Sequence, residues 1–343
     1  MVNFLNAQTK VNFITEYYPF INKAEIYITK GKFENALEMY QKAFKNSTIG
    51  FRRDYENALY CALKIDKINI ALEYAKQMAV KGSKLEYFKK IKHFEKLTAS
   101  NNWIDFEENY DKYYLKNINI KLRDTLIKMK ERDQKYRLME GSYRKYHKEI
   151  KEIDSLNYIG LVSLFNQYGY PTEDMIGGKH ITDVIIRHYY QNNPTDTTKH
   201  IFLNDIFNNA LKEGKIHNEN ILTIFNNIHP IIKWEKYSYY TIKKVNNLVY
   251  RINFGSTLEI NKERKEIGLC SMEDVEQKLL FYYSPILYEK VENFFESSED
   301  IYKTQPFYFW VHSYILYTPD EQYDFKQQIK TKQFIPIPNP NKK

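Results

Sequence analysis

Apolar residues in the first third of the chain fall at i, i+3, i+4 and i+7, the spacing that gathers side chains on one helix face. The pattern itself recurs at intervals of 35 residues. Gly31, Asp66 and Asn101 mark the points where one helix turns into the next, and all three residue types tolerate left-handed backbone. Two positions later Phe33, Ile68 and Trp103 open a second helix with an apolar anchor. That helix continues with Ala36, Ala71 and Phe106, then Tyr40, Ala75 and Tyr110, then Ala43, Met78 and Tyr113. The preceding helices carry Ala24, Leu59 and Phe94, and Tyr27, Ala62 and Leu97, at matched positions. Alanines at the crossing let two helices approach closely, and the third unit is bulky where the first two are slim. Three helical hairpins are therefore predicted over residues 18–116.

Beyond them a mixed-charge stretch predicts one linking helix over about 118–151. Asp154-Ser155-Leu156-Asn157 reads as the start of a helix through Tyr158–Tyr168, closed by Gly169-Tyr170-Pro171. After a turn at Gly177-Gly178, helices are expected over about 179–191 and 198–213, and from Asn218 to short of Pro230. Aromatic and β-branched residues over 237–243 and 248–254, separated by Val245-Asn246-Asn247, predict a β-hairpin. Helices resume near Ser271 and over about 284–295, and the prolines of 331–343 predict an extended tail without regular structure. The fold class is mainly α. An N-terminal segment (1–17) leads into the hairpins (18–116) and a linking segment (117–153). A helical C-terminal domain (154–330) with its β-hairpin near 237–254 follows, and then the tail.

Composition limits the function classes. The 343 residues are 43% hydrophobic and 27% charged, enough apolar matter for a sizeable core. No run approaches the ~20 apolar residues of a spanning helix, so no transmembrane segment is expected. The net charge of +8 is thinly spread. Its most basic stretch, 121–154, mixes eleven basic with seven acidic residues, the pattern of a solvated helix face rather than a one-sign nucleic-acid footprint. A nucleic-acid or anionic-polymer binder is thus the third-ranked reading. Cys61 and Cys270 are too few and too far apart for a zinc site, and nothing in the sequence supports a disulfide between them. No Gly-rich phosphate loop or nucleophile elbow is present, so neither a metal nor a cofactor is expected. Met1–Ala7 resembles the tail of an export signal cut after Ala7. On that reading the protein is exported or periplasmic; on the alternative, a frayed N-terminus, it is cytoplasmic.

The first unit, Lys30–Phe44 (KGKFENALEMYQKAF), closely resembles the tetratricopeptide family. Such arrays stack into a curved surface that often binds an extended peptide or a helix. That resemblance implies a protein or peptide partner on the concave side, with Tyr40 and Tyr110 as the candidate contacts; a platform for the second domain is the alternative. A second ordered set, Arg132-Asp133-Gln134, Arg137, Asp154, Asn157, Gly169-x-Pro171, Ile176-Gly177, His188 and Arg264…Ile267-Gly268-Leu269, resembles a bacterial domain family of unknown function over about 128–283. The chain has Arg187-His188 where that family has Gln-His, and Asn226-Asn227 where it has Asp-Arg.

The candidate acid or base is His188, which shares a helical face with Ile181, Val184 and Ile185 and so points inward. A hydrogen-bonded structural histidine is the ordinary outcome there. A catalytic role needs Asp133, Asp154 and Arg264 to converge on it. The sequence thus ranks a helical-repeat binding or scaffold protein first and an enzyme with a site around His188 and Arg264 second.

Overall fold

The computed structural model describes residues 11–47, 50–178, 181–193, 197–225, 242–245, 248–287, 307, 315–316 and 327–338. After a short α1 (Phe13–Glu16), α2 (Tyr18–Thr29) pairs with α3 (Phe33–Asn46), and α4 (Arg52–Lys64) with α5 (Ile68–Val80). The turns fall where the polar breaks predict them: Gly31 and Asp66 are both left-handed, at φ 67° and 58°. Ala24, Ala36, Ala43, Ala62, Ala71 and Ala75 are all fully buried, which is what lets the paired helices close.

The third unit is more broken than its periodicity predicts. Its first helix splits into α6 (Leu85–Lys90), a 3-10 turn at Lys92–Phe94 and α7 (Glu95–Thr98). The second splits into α8 (Trp103–Glu108) and α9 (Tyr110–Tyr114), with Asn109 off helical geometry between them. Bulk is the reason. Phe88, Phe94, Trp103 and Phe106 meet in tilted and edge-on contacts as one buried aromatic group between the short helices.

The single linking helix expected over 118–151 is two helices. In its place stand α10 (Ile120–Lys135) and α11 (Ser142–Tyr168), which reverse direction through Gly141 at φ 83°. Asp154 is likewise no helix start, because α11 runs straight through it. Its carboxylate is buried and bonded to other helices, so it has no part in capping its own. After α12 (Glu173–Ile176), α13 (Ile181–Asn192) lies across both α10 and α11, and α14 (Thr197–Lys212) and α15 (Asn218–Phe225) follow.

β1 (Ile242–Val245) and β2 (Leu248–Ile252) pair antiparallel with Val245 opposite Leu248, and residues 246–247, where the sequence places the turn, lie outside the described residues. Residues 237–241 and 288–295, which carried sequence expectations, lie outside the described residues. α16 (Leu258–Glu266) and α17 (Met272–Leu287) follow. The hairpin grows into a four-stranded sheet by adding β3 (Ile315–Leu316) beside β1 and β4 (Phe334–Ile337) beside β2. The proline-rich tail is therefore partly regular, contrary to expectation. An edge strand accepts Pro336 because alternate N–H groups there point away from the sheet.

The hairpins and the C-terminal helices share one core. Tyr18 in α2 accepts a bond from the Asn218 amide, Asn22 donates to the Gly268 carbonyl, and Arg52 donates its amide to Glu173. The closest approach is backbone on backbone. A Cβ placed on Gly82, after α5, would stand 2.1 Å from the Gly177 carbonyl carbon, and Gly82 itself has φ 88°. Gly31 has a similar φ but open space around it. We expect Gly82→Ala to cost about 2–5 kcal/mol, strain plus overpacking, and Gly31→Ala only about 1–2 kcal/mol. Chemical denaturation of the two variants checks this, and equal losses would contradict the close approach.

Candidate functional site

Three of the four expected acid–base residues meet where α10, α11 and α13 cross. The His188 Nδ1 atom lies 3.0 and 2.9 Å from the two carboxylate oxygens of Asp133, which spans α13 to α10. Arg137, one turn after Asp133, donates to Asp133 Oδ1 at 3.2 Å and to both oxygens of Asp154 at 2.8 and 2.7 Å. Asn192 also donates to Asp154 and accepts from the Tyr143 hydroxyl at 3.0 Å. Gln134 donates to Asp133. Asn157 donates to the Met129 carbonyl and accepts from Arg132. Of the residues carrying the second resemblance, Asp133, Gln134, Arg137, Asp154 and His188 therefore occupy one polar network, and Arg132 and Asn157 form a separate pair between α10 and α11.

The side chains of Asp133 and Asp154 are wholly buried, while His188 is 13% and Arg137 15% exposed. A carboxylate only accepts, so Nδ1 carries the proton it gives to Asp133. That leaves Nε2 as the ring's other face, and among the described residues it meets no partner. This is the arrangement in which a buried acid fixes the tautomer and direction of an imidazole.

Arg264 is elsewhere. It is buried near the end of α16, where its Nε donates to the Cys270 carbonyl at 2.6 Å. Its own carbonyl accepts from Ile267 and Leu269 in a turn closed by Gly268 at φ 76°. A Cβ on Gly268 would strike the Tyr18 ring, so the Arg264–Leu269 motif docks α16 against α2. The motif is structural in effect, although it follows the acid–base residues in the sequence pattern.

Arg264 borders a second network that the sequence reading missed. Arg53 of α4 donates to Glu25 of α2 at 2.8 Å, to its neighbour Asp54 at 3.3 Å, and to Glu219 of α15. Lys278 of α17 also donates to Glu25, and its Nζ lies 3.2 Å from the Cys270 sulfur. Asp54 accepts from the Tyr17 hydroxyl at 2.8 Å, with His217 Nε2 at 3.9 Å. Glu25, Arg53, Asp54, Glu219 and Lys278 are all buried. A signal was present: Glu25 shares its helix stripe with the apolar Ile21 and Ile28, where a charge must find a buried partner.

The proposed partner contacts are not at the surface. Tyr40 is fully buried, and Tyr110 is buried with its hydroxyl bonded to the Ser83 carbonyl at 2.8 Å. They fill the seams between helices because they lie on the apolar stripe. The first helices of the hairpins face the rest of the chain. In α4 every residue from Arg53 to Leu63 is buried, and Phe307 stacks on Phe33 and meets Tyr60 edge-on. Cys61 and Cys270 are free and separately buried, with no disulfide between them. Among the described residues no group of His, Cys, Asp and Glu could hold a metal ion, and no helix is long and apolar enough to cross a membrane. No protein-family model, curated protein or solved structure matches the chain.

Burial pushes the carboxyls of the second network up. Asp54 stands at about 6 and Glu219 at about 7, raised first by loss of hydration and further by the charge of Glu25, against the pull of Arg53. The folded state thus holds these protons more tightly than the unfolded chain. Their contribution to stability is complete below the ordinary carboxylate range and is lost as pH rises through about 6 and about 7. Glu219→Gln cannot titrate. Its melting temperature relative to the native protein should therefore climb between about pH 5 and about pH 8. A flat or falling difference in calorimetry would show that Glu219 is not so raised.

Proposed function

We propose that the protein works through the His188 face of its C-terminal half as a proton-transfer site, and that the N-terminal hairpins are its internal platform. The observation that carries this is the Asp133–His188 pair, in which a fully buried carboxylate engages Nδ1 of a partly exposed histidine and Nε2 has no partner among the described residues. Arg137 and Asp154 brace Asp133 from behind, which fixes its direction. An imidazole so held can exchange a proton at Nε2 with a bound ligand. Arg132 is exposed beside the network, with Nε and one amino group committed to Asn157 and Nη1 left to meet an anionic group. A ligand carrying an acidic proton and an anionic substituent suits this pair of groups. The hairpins support the reading by default, since their inner helices are occupied by the chain itself.

A second reading has its own support. Leu138 is 80% exposed, and Met139 and Tyr143 flank it at the turn between α10 and α11, beside the network. Apolar residues kept in water next to a polar cluster suit a protein or peptide partner docked at that turn. On this reading the protein is a helical binding or scaffold protein, and the His188 cluster orients its surface.

The two readings part in one experiment. The native protein, His188→Gln, Asp133→Asn and Leu138→Ser are each incubated with a small-molecule extract, and consumption is followed by mass spectrometry. Proton-transfer catalysis predicts compounds consumed by the native protein and by Leu138→Ser, with turnover down about 100-fold or more in the other two. No compound consumed by the native protein would end the catalytic reading and leave the binding surface.

A further inference from the structure

The Cys270 sulfur and the Lys278 amine are held together in the second network, away from the His188 site. Cys270 lies two residues before α17 and Lys278 about two turns along that helix, so the two groups are close in sequence and in space. Nζ stands 3.2 Å from Sγ. Cys270 is 7% exposed and Lys278 2% exposed. Arg264 fixes the Cys270 carbonyl at 2.6 Å and brings its Nη2 to 4.0 Å from the same sulfur. Two cations therefore face the sulfur, the kind of surroundings in which cysteines react with oxidants. Glu25 contacts the lysine amine directly and is itself held by Arg53.

We infer that Cys270 and Lys278 are a modification site, at which a peroxide joins sulfur to nitrogen as a sulfenamide. The atoms balance in two steps. First, the thiol attacks hydrogen peroxide: the O–O bond breaks, an S–O bond forms, and the thiol proton leaves with the released hydroxide as water. Cysteine is now sulfenic acid, oxidised by two electrons, and the peroxide is reduced by two. Second, the lysine ammonium passes a proton to Glu25, and the free amine attacks sulfur. The S–N bond forms, the S–O bond breaks, and hydroxide departs with an amine proton as a second water. Nitrogen is known to capture a sulfenic acid as a sulfenamide, and among the described residues the Lys278 amine is the nucleophile in contact with the sulfur. A thiol reverses the step by attacking sulfur and releasing the amine.

The consequence is electrostatic. Lys278 is the cation through which α17 grips Glu25 of α2. Once in the cross-link it carries no charge, and Glu25 is left to Arg53 alone. Oxidation therefore weakens the junction between the hairpins and the C-terminal half, while the covalent bond itself lies within one half.

Peptide mapping of the intact native protein after graded hydrogen peroxide tests this. The expected product is a peptide joining residues 270 and 278, two hydrogens lighter than the sum of its parts, restored by dithiothreitol. Cys61, which is fully buried with its thiol pushed up by burial, serves as the internal control and should remain a thiol. In Lys278→Arg, which keeps the ion pair with Glu25, the link should vanish and Cys270 should go on to sulfinic acid. A thermal melt should fall on oxidation of the native protein and recover with the thiol. Cys270 found as a sulfinic acid with Lys278 unmodified in the native protein would overturn the inference. So would a Cys270 no more reactive than Cys61.

Discussion

Arg53 is the cation around which the molecule closes. It enters at the start of α4 and meets carboxylates from three separate helices, Glu25, Asp54 and Glu219. Asp54 and Glu25 are wholly or almost wholly buried and Arg53 and Glu219 nearly so, so each is acceptable in the core only because the others are present. Removing one partner of such a network typically costs about 3–5 kcal/mol, since the charges left behind remain buried. The hairpins and the C-terminal helices are thus bound by mutual necessity. Neither surface, exposed alone, would present a soluble face.

This constraint explains why the inner side of the hairpins is closed. A helix lining an open groove must carry side chains that tolerate water. α4 instead carries an unbroken run of buried residues, with Asp54 bonded to Tyr17 and Glu56 bonded to Tyr87 and Arg52. Gly82 against Gly177 allows the two backbones to touch, a contact no side chain could share. Lys81 beside it pairs with Asp174 of α12. Polar, apolar and backbone contacts all spend the same surface on the chain's own second half, so a functional face is better sought where α10, α11 and α13 meet the solvent.

The first two hairpins were legible because one physical signal governs them. Alanine at the crossings and a left-handed turn at Gly31 and Asp66 admit few other structures. The mainly α class with a β-hairpin follows from the same local rules, as the facing Val245 and Leu248 show. The break at Gly141 was hidden because a charged, propensity-rich stretch reads as one helix whether or not tertiary contacts fold it back. Asp133, Asp154 and His188 could be named as candidates from residue type and order, but only packing could decide that Arg264 lies elsewhere. The Arg53 network was the hardest to read. Its members come from residues 25 to 278, and no local pattern pairs them; what the sequence carries is only a set of charges at apolar stripe positions.

The two buried networks are built alike but loaded differently. Around Arg137 two carboxylates are satisfied by one guanidinium and by neutral donors, and the histidine at the edge retains a nitrogen for something else. Around Arg53 three carboxylates face one guanidinium, and Lys278 adds a second cation at Glu25. On the proposed reading His188 exchanges a proton at the rim of the first network, where Asp133 and Asp154 keep their bonds to Arg137. The second cannot lose the Lys278 charge without consequence for the junction that Glu25 holds. A change at Lys278 should accordingly be felt as loosened packing between α2 and α17, whereas a change at His188 leaves the buried Asp133 with Arg137 and Gln134 as its remaining side-chain donors.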